Sequence, residues 1–356
     1  MNTFELNKIL RPHILSLAPY SSARDEYTGH TGIFLDANEN PYGSVTEENY
    51  NSYPDPYQSE IKMRLAPIKH VAVEQIFLGN GSDEPIDLLT RATCTPGEDH
   101  VIILPPTYGM YEVSASIHNV IIDKVSLTND YLIDVEAVLE AVTPKTKIIW
   151  ICSPNNPTGN VMQPEAIETL LNNFNGLVVV DEAYVDFTDT PSWTQHLEQY
   201  PNLVVLQTFS KAWGLAGLRI GMCFASPDLI RILNKIKPPY NISLPAQREL
   251  LSGLGEGEKK DNMVAEILKE RASLCNMLTD LSLVIKVHPS DANFLLVQFE
   301  EPKAIMDYLI NETIIVRDRS RVHLCEGCLR ITVGTSEENE ALIESLRKYS
   351  AKNVTA

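Results

Sequence analysis

The sequence predicts an α/β fold: a large, mainly parallel sheet of seven strands followed by a smaller α+β domain. Three observations carry that expectation. Short β-branched runs alternate with longer helical patterns through the middle of the chain, as βαβ units do. Several of these runs are apolar at nearly every position, the pattern of strands covered on both faces. After Lys237-Pro238-Pro239-Tyr240, a proline break, strands and helices continue in a different register.

The strands of the sheet are expected over 75–78, 100–104, 120–125, 147–152, 177–181, 203–209 and 219–224, with helices over 85–93, 108–117 and 164–174 between them. The polar, proline-rich stretch up to Tyr57 has little period and reads as an arm wrapping another surface. Beyond the proline break come a long amphipathic helix over 262–281, a strand over 293–299 and a helix over 302–310. Strands over 314–317 and 329–333 and a terminal helix from about Ser336 complete the pattern. The chain thus divides into an arm over 1–45 contributing to the smaller domain, a large domain over 46–245 and a smaller one over 246–356. Neither an internal repeat nor a low-complexity segment interrupts it.

With 356 residues the chain can bury a large core, and its 44% hydrophobic and 21% charged residues are ordinary globular values. Its net charge of −18 argues against a nucleic-acid or anionic-membrane partner, because phosphate backbones need a basic face. A small phosphorylated ligand needs only a few local donors and stays compatible. No secretory signal and no membrane-length apolar run are visible, so a cytoplasmic location is expected. Of six cysteines only Cys325 and Cys328 share a C-x-x-C spacing, with no second pair to complete a metal site. They read as reduced thiols, and no metal is expected.

In open α/β sheets ligands sit beyond the carboxyl ends of the strands, and there the polar residues gather. Lys211 follows the run 203–209. A positioned amine at a strand end suits imine formation with a carbonyl, for which pyridoxal phosphate is the usual partner. The hydroxyls beside it and Arg219 would hold the phosphate. The turn Gly79-Asn80-Gly81-Ser82-Asp83-Glu84-Pro85 leads into a helix whose first N–H groups make an anion site, with Ser82 as its N-cap. Tyr108, in the turn after 100–104, can lay its ring on a flat ligand. Within Ser153-Pro154-Asn155-Asn156-Pro157-Thr158-Gly159 an asparagine can donate to a phenolate-type oxygen. Asp181, ionised at the end of a buried strand, requires a cation, and a protonated pyridine nitrogen is one. Tyr184 can join Asn156 on the ring's 3-oxygen. Each feature alone has a plain reading as a capped helix, a core tyrosine, a turn or a surface lysine. Their recurrence on successive strands favours the cofactor.

The chain resembles the fold-type I pyridoxal-phosphate aminotransferases, and within them the histidinol-phosphate aminotransferase branch. The strings quoted above carry the likeness, with Leu17-Ala18-Pro19-Tyr20, Leu35-Asp36-Ala37-Asn38-Glu39-Asn40-Pro41, Tyr53-Pro54-Asp55 and Cys328-Leu329-Arg330-Ile331-Thr332-Val333-Gly334. Nearly the whole chain is covered. The resemblance implies that Lys211 forms the internal aldimine and shuttles a proton, while Asp181 pairs with the pyridine nitrogen. It implies that Asn156 and Tyr184 bind the 3-oxygen and that Tyr108 stacks on the ring. Ser82 and Asp83 amides, Thr208, Ser210 and Arg219 hold the phosphate. Tyr53 reaches the phosphate site of a neighbouring subunit, which makes the expected assembly a homodimer with shared active sites. Arg330 binds the substrate carboxylate and, with Arg317 and Tyr20, is expected to hold the substrate phosphate as well, with Asn156 also on the substrate side. Arg319 and Arg321 are taken as surface. Trp213, Gly214 and the short stretch 44–52 depart from the family pattern and bear on the mouth of the site.

The implied reaction is transfer of an amino group from L-histidinol phosphate to 2-oxoglutarate, giving imidazole acetol phosphate and L-glutamate in L-histidine biosynthesis. A related aromatic or other amino-acid aminotransferase, a threonine-phosphate decarboxylase and a cofactor-binding regulatory module are the alternatives. The intact Lys211 and the lack of a preceding DNA-binding segment speak against the last.

Overall fold

The computed structural model describes residues 4–19 and 32–354. Seven strands form the large sheet: β1 (Ile76–Asn80), β2 (His100–Ile103), β3 (Ile121–Lys124), β4 (Thr146–Cys152), β5 (Leu177–Asp181), β6 (Leu203–Thr208) and β7 (Ile220–Phe224). Their order is β1-β7-β6-β5-β4-β2-β3. Strands β2 to β6 pair in parallel, whereas β7 runs antiparallel to both β1 and β6.

Period-two alternation explains how the central strands bury both faces. In β5, Val178 and Val180 pack in one apolar cluster with Ile167 and Leu170 of the helix Pro164–Asn173. Leu177 and Val179 point the other way, toward Leu88 of the helix Asp83–Thr93 and Leu233 of the helix Pro227–Ile236. All four strand residues are fully buried, each worth about 1.5–3 kcal/mol of transfer free energy. The helices begin where their sequences favour it, with a proline in the first turn of Pro164–Asn173 and Pro227–Ile236 and two acids in that of Asp83–Thr93.

This topology gathers the site. The carboxyl ends of the parallel strands lie at one edge of the sheet. Because β7 is reversed, its start lies at that same edge, opposite the end of β1, with Asn80 paired to Ile220.

A second sheet, order β10-β11-β9-β8, is antiparallel throughout: β8 (Val284–Val287), β9 (Phe294–Phe299), β10 (Arg317–Asp318) and β11 (Cys328–Thr332). Its own apolar cluster joins Leu295, Val297 and Leu329 to Leu274 and Leu278 of the helix Gly257–Thr279, Leu309 of Pro302–Asn311 and Leu342 of Ser336–Val354.

The structure differs from the expectation in several elements. The strand expected over 314–317 is paired only at Arg317–Asp318. The helices Ser59–Lys69, Val135–Ala141 and Leu244–Gly253 and the strand β8 carry weak or interrupted patterns that the sequence does not announce. Residues 4–19, expected to join the smaller domain, lie on the large one. Ile9 packs in the cluster behind β7, the Arg11 N–H donates to the Ala92 carbonyl at 2.9 Å, and Lys235 Nζ donates to the Ile14 carbonyl at 2.9 Å. Ile9, Leu10 and Ile14 are the apolar residues that anchor it there. Among the described residues no helix is long and apolar enough to cross a membrane.

Candidate active site

A cavity of about 650 Å³ opens at the carboxyl edge of the large sheet and is closed on its far side by β10 and β11. Its first wall is an anion cradle. Gly81 adopts a left-handed φ of +73°, and its N–H donates to the Arg219 carbonyl at 2.7 Å. A Cβ on Gly221 would stand 2.2 Å from the Ser82 nitrogen, so only glycine lets β7 lie against the turn after β1. Ser82 is the N-cap residue of Asp83–Thr93, but its hydroxyl makes no capping hydrogen bond, contrary to the expectation. The first-turn N–H groups therefore have no side-chain cap.

Arg219 sits beside this helix start. Its Nη1 donates to the Ala216 carbonyl at 3.1 Å and approaches Ser210 Oγ at 3.5 Å, while Nη2 lies 3.9 Å from Asp83 Oδ2. That half-exposed ion pair is long and weak, so the guanidinium keeps donors for another anion. Thr208 Oγ1 donates to Ser210 Oγ at 3.0 Å and accepts the Ser210 N–H at 3.1 Å. Two hydroxyls, a guanidinium and a helix start without a side-chain cap form the donor set of a phosphate site.

The floor is Asp181, fully buried at the end of β5. Its Oδ2 accepts the Tyr111 hydroxyl at 2.7 Å and its Oδ1 the Ala183 N–H at 3.1 Å. Burial pushes the carboxyl up to about 6 despite those two donors. Tyr111, itself buried and stacked on Trp150 at 5.1 Å, is a site residue that sequence reasoning missed. Tyr108 stands between floor and cradle. Its hydroxyl donates to Asp83 Oδ1 at 3.0 Å and its ring meets Tyr111 edge-on at 5.6 Å.

The opposite wall carries the turn after β4. Asn155, fully buried, donates to the Pro106 carbonyl at 2.8 Å and to Thr158 Oγ1 at 2.7 Å, tying two strand-end turns together. Asn156 is thereby held in the cavity. Its Oδ1 accepts from Arg330 Nη1 at 2.6 Å, which turns its Nδ2 toward the Tyr184 hydroxyl at 3.3 Å. Arg330 lies over the Phe294 ring at 5.2 Å, and its Nε is buried without an acceptor. Lys211 enters from the turn after β6, with Nζ 5.7 Å from the Tyr184 ring centroid. Surrounding protein atoms, then Arg330 and Arg219, lower its pKa. The side chain still meets solvent at the mouth, so its desolvation is partial.

The structure thus brings Ser82, Asp83, Tyr108, Asn156, Asp181, Tyr184, Thr208, Ser210, Lys211, Arg219, Arg317 and Arg330 to one cavity. It adds Arg319, which the charged run had marked as surface. Tyr53 is not among them. It stacks on Tyr240 at 4.4 Å and lines a separate depression. Tyr20 lies outside the described residues. Cys325 and Cys328 are buried free thiols, and no group of metal-ligating side chains forms among the described residues.

This donor set fits pyridoxal phosphate. The cradle suits its phosphate, the Tyr108 ring its flat face and Asn156 with Tyr184 its phenolic oxygen. Asp181, whose hydrogen-bond donors are both neutral, suits a protonated ring nitrogen.

The aminotransferase class I and II family matches residues 32–346. A histidinol-phosphate aminotransferase of Cytophaga hutchinsonii is 56% identical over 346 residues, 97% of this chain and 99% of that protein. The crystal structure of a histidinol-phosphate aminotransferase from Sinorhizobium meliloti in complex with pyridoxal-5'-phosphate is similar with a TM-score of 0.78. It is 24% identical, over 88% of this chain and 90% of that one. L-threonine-O-3-phosphate decarboxylase from Porphyromonas gingivalis is similar with a TM-score of 0.73 and 24% identity, over 85% and 91% of the two chains. These two structural likenesses speak for the fold alone, which both kinds of protein share.

Proposed function

The chain belongs to the class I and II aminotransferase family, and from that premise we propose that it is a pyridoxal-phosphate enzyme acting on L-histidinol phosphate and 2-oxoglutarate. Its products are imidazole acetol phosphate and L-glutamate, a step of L-histidine biosynthesis. The name of the 56% identical relative supports the substrate. The observation that carries the reading is Arg330. Its side chain lines the same cavity as Lys211 and Asp181, and its buried Nε has no acceptor.

Bound pyridoxal phosphate supplies an aldehyde for condensation with amines and a protonated ring that spreads carbanion charge. The residues of this chain supply the rest. Asp181 keeps the ring nitrogen protonated, and Tyr111 keeps Asp181 ionised. Asn156 Nδ2 and the Tyr184 hydroxyl donate to the phenolic oxygen. Ser82, Asp83, Thr208, Ser210 and Arg219 anchor the phosphate. The Lys211 amine, made less basic by its surroundings, would take the proton from the substrate Cα and deliver it to C4′ of the cofactor. Arg330, Arg317 and Asn156 bind the substrate's anionic group, which is a carboxylate in one half-reaction and a phosphate in the other.

Tyr53 serves, in the same proposal, the phosphate site of a second copy in a two-fold homodimer. The almost fully exposed Ile33, Leu35, Tyr42 and Val45 on the same segment support an interface there. The arm over 1–45, the domains over 46–245 and 246–356 and a cytoplasmic location with reduced cysteines complete it. The test is a spectral half-reaction of the holoenzyme. Histidinol phosphate converts the cofactor's absorbance to the pyridoxamine form and 2-oxoglutarate restores it. Carbon dioxide release from threonine phosphate in place of that cycle overturns the assignment.

A further inference from the structure

We propose that Arg319 is a specificity-determining residue, forming with Arg317 and Arg330 a three-guanidinium pocket that selects a phosphate dianion on the amine substrate. The inference rests on the histidinol-phosphate reading and deepens it.

Strand register carries the argument. In the β10–β11 pair Arg317 stands directly opposite Arg330. Cross-strand partners share a face, and Arg319, two residues on, returns to that face. The Arg319 N–H donates to the Cys328 carbonyl at 3.0 Å and keeps the chain in register past the end of β10. Asp318 alternates to the other side, and its carboxylate accepts the Ser320 N–H at 2.7 Å. It makes no ion pair with Arg317, Arg319 or Arg330, and its attraction for Arg319 is weaker than the repulsion Arg319 feels from Arg330 and Arg317.

Three like charges therefore crowd one wall of the cavity, an unfavourable arrangement unless an anion fills it. Their hydrogen bonds go to neutral acceptors: Arg330 to Asn156 Oδ1 at 2.6 Å and Arg319 to the Asp318 carbonyl at 3.1 Å. Among the described residues no carboxylate forms an ion pair with any of the three. Burial, then Arg330 and Arg317, hold the pKa of Arg319 down, and the attraction of Asp318 only partly offsets them. A carboxylate offers two oxygens and one charge, which one guanidinium satisfies in bidentate fashion. A phosphate monoester offers three oxygens and nearly two charges at neutral pH. Arg330 with Asn156 suffices for the carboxylate of glutamate. Arg317 and Arg319 supply what a phosphate adds.

The experiment compares wild-type, R319Q and R319K holoenzymes on histidinol phosphate, unphosphorylated histidinol and glutamate. Loss of a charge-assisted hydrogen bond reads as about tenfold. R319Q should raise KM for histidinol phosphate about tenfold with kcat unchanged, and lower the preference for histidinol phosphate over histidinol by the same factor. Glutamate should be affected little, and R319K should recover most of the preference. Inorganic phosphate should inhibit R319Q about tenfold more weakly than wild type. An unchanged preference and an unchanged phosphate inhibition constant in R319Q overturn the inference. If R319Q fails to fold, wild type decides, because its inhibition by inorganic phosphate must tighten as the probe takes its second charge. Indifference to that charge overturns the inference equally. Failure of the wild-type enzyme to turn over histidinol phosphate sinks the functional reading, a result distinct from either.

Discussion

Replacing Asp181 with asparagine is expected to stabilise the cofactor-free chain while removing the ring's charge partner. Burial raises the Asp181 carboxyl from its ordinary 3.8 to about 6. Between these values the folded chain holds a proton that the unfolded chain has released, so stability falls as pH rises through about 6. At about 1.4 kcal/mol for each pH unit, the ionised side chain costs about 3 kcal/mol of stability at pH 8. Asparagine keeps the volume, can accept the Tyr111 hydroxyl and does not titrate. Urea denaturation of the two apo proteins should therefore place D181N about 2–3 kcal/mol above wild type at pH 8, with the gap closing toward pH 4. Saturating pyridoxal phosphate should stabilise wild type more and narrow or reverse the order, because a cationic ring nitrogen offsets the penalty only where a carboxylate is present. An apo D181N that is no more stable than wild type at pH 8 would refute the claim that Asp181 is a charge kept at a cost.

Other variants test neighbouring parts of the argument. K211A should fold with an unchanged melting temperature yet lose the half-reaction; a variant that still turns over would refute the role of its amine. Y111F removes the main hydrogen bond that lowers the Asp181 pKa, so the carboxyl should protonate at higher pH. Activity in Y111F should then fall more at pH 6.5 than at pH 8, and an unshifted pH profile would count against it. G221A forces a Cβ against the Ser82 nitrogen and should cost about 1–3 kcal/mol together with cofactor affinity, read by denaturation and by cofactor titration.

Lys211 and Asp181 were legible because a charged group after an apolar strand is costly and needs an explanation. The strands themselves were legible for a related reason, since β4, β5 and β6 are buried at nearly every position and read as continuous apolar runs. Tyr111 was not legible. It lies on the helix Met110–Ile117 as an ordinary core aromatic, and its partner Asp181 is 70 residues away. Arg319 was hidden by the charge of its own segment, which looks solvated until its register against β11 is known. Ser82 misled in the other direction. It has the residue type of a cap but makes no capping bond. The helix Ser59–Lys69 was obscured by Pro67 in its interior and by the irregular chain before it.

The reversed strand β7 has a consequence for how the protein is made. The cradle joins the turn after β1 to Arg219, some 140 residues later in the chain, through the Gly81 to Arg219 hydrogen bond and the β1–β7 pairing. Such a distant pairing closes late, after the local contacts around it. A ligand that bridges the two segments binds only chains in which the sheet has closed, and so draws nascent chains toward the native state. Vitamin B6 supply would then act as a chaperone for this protein, and destabilised variants at the β1–β7 seam are the ones it should rescue.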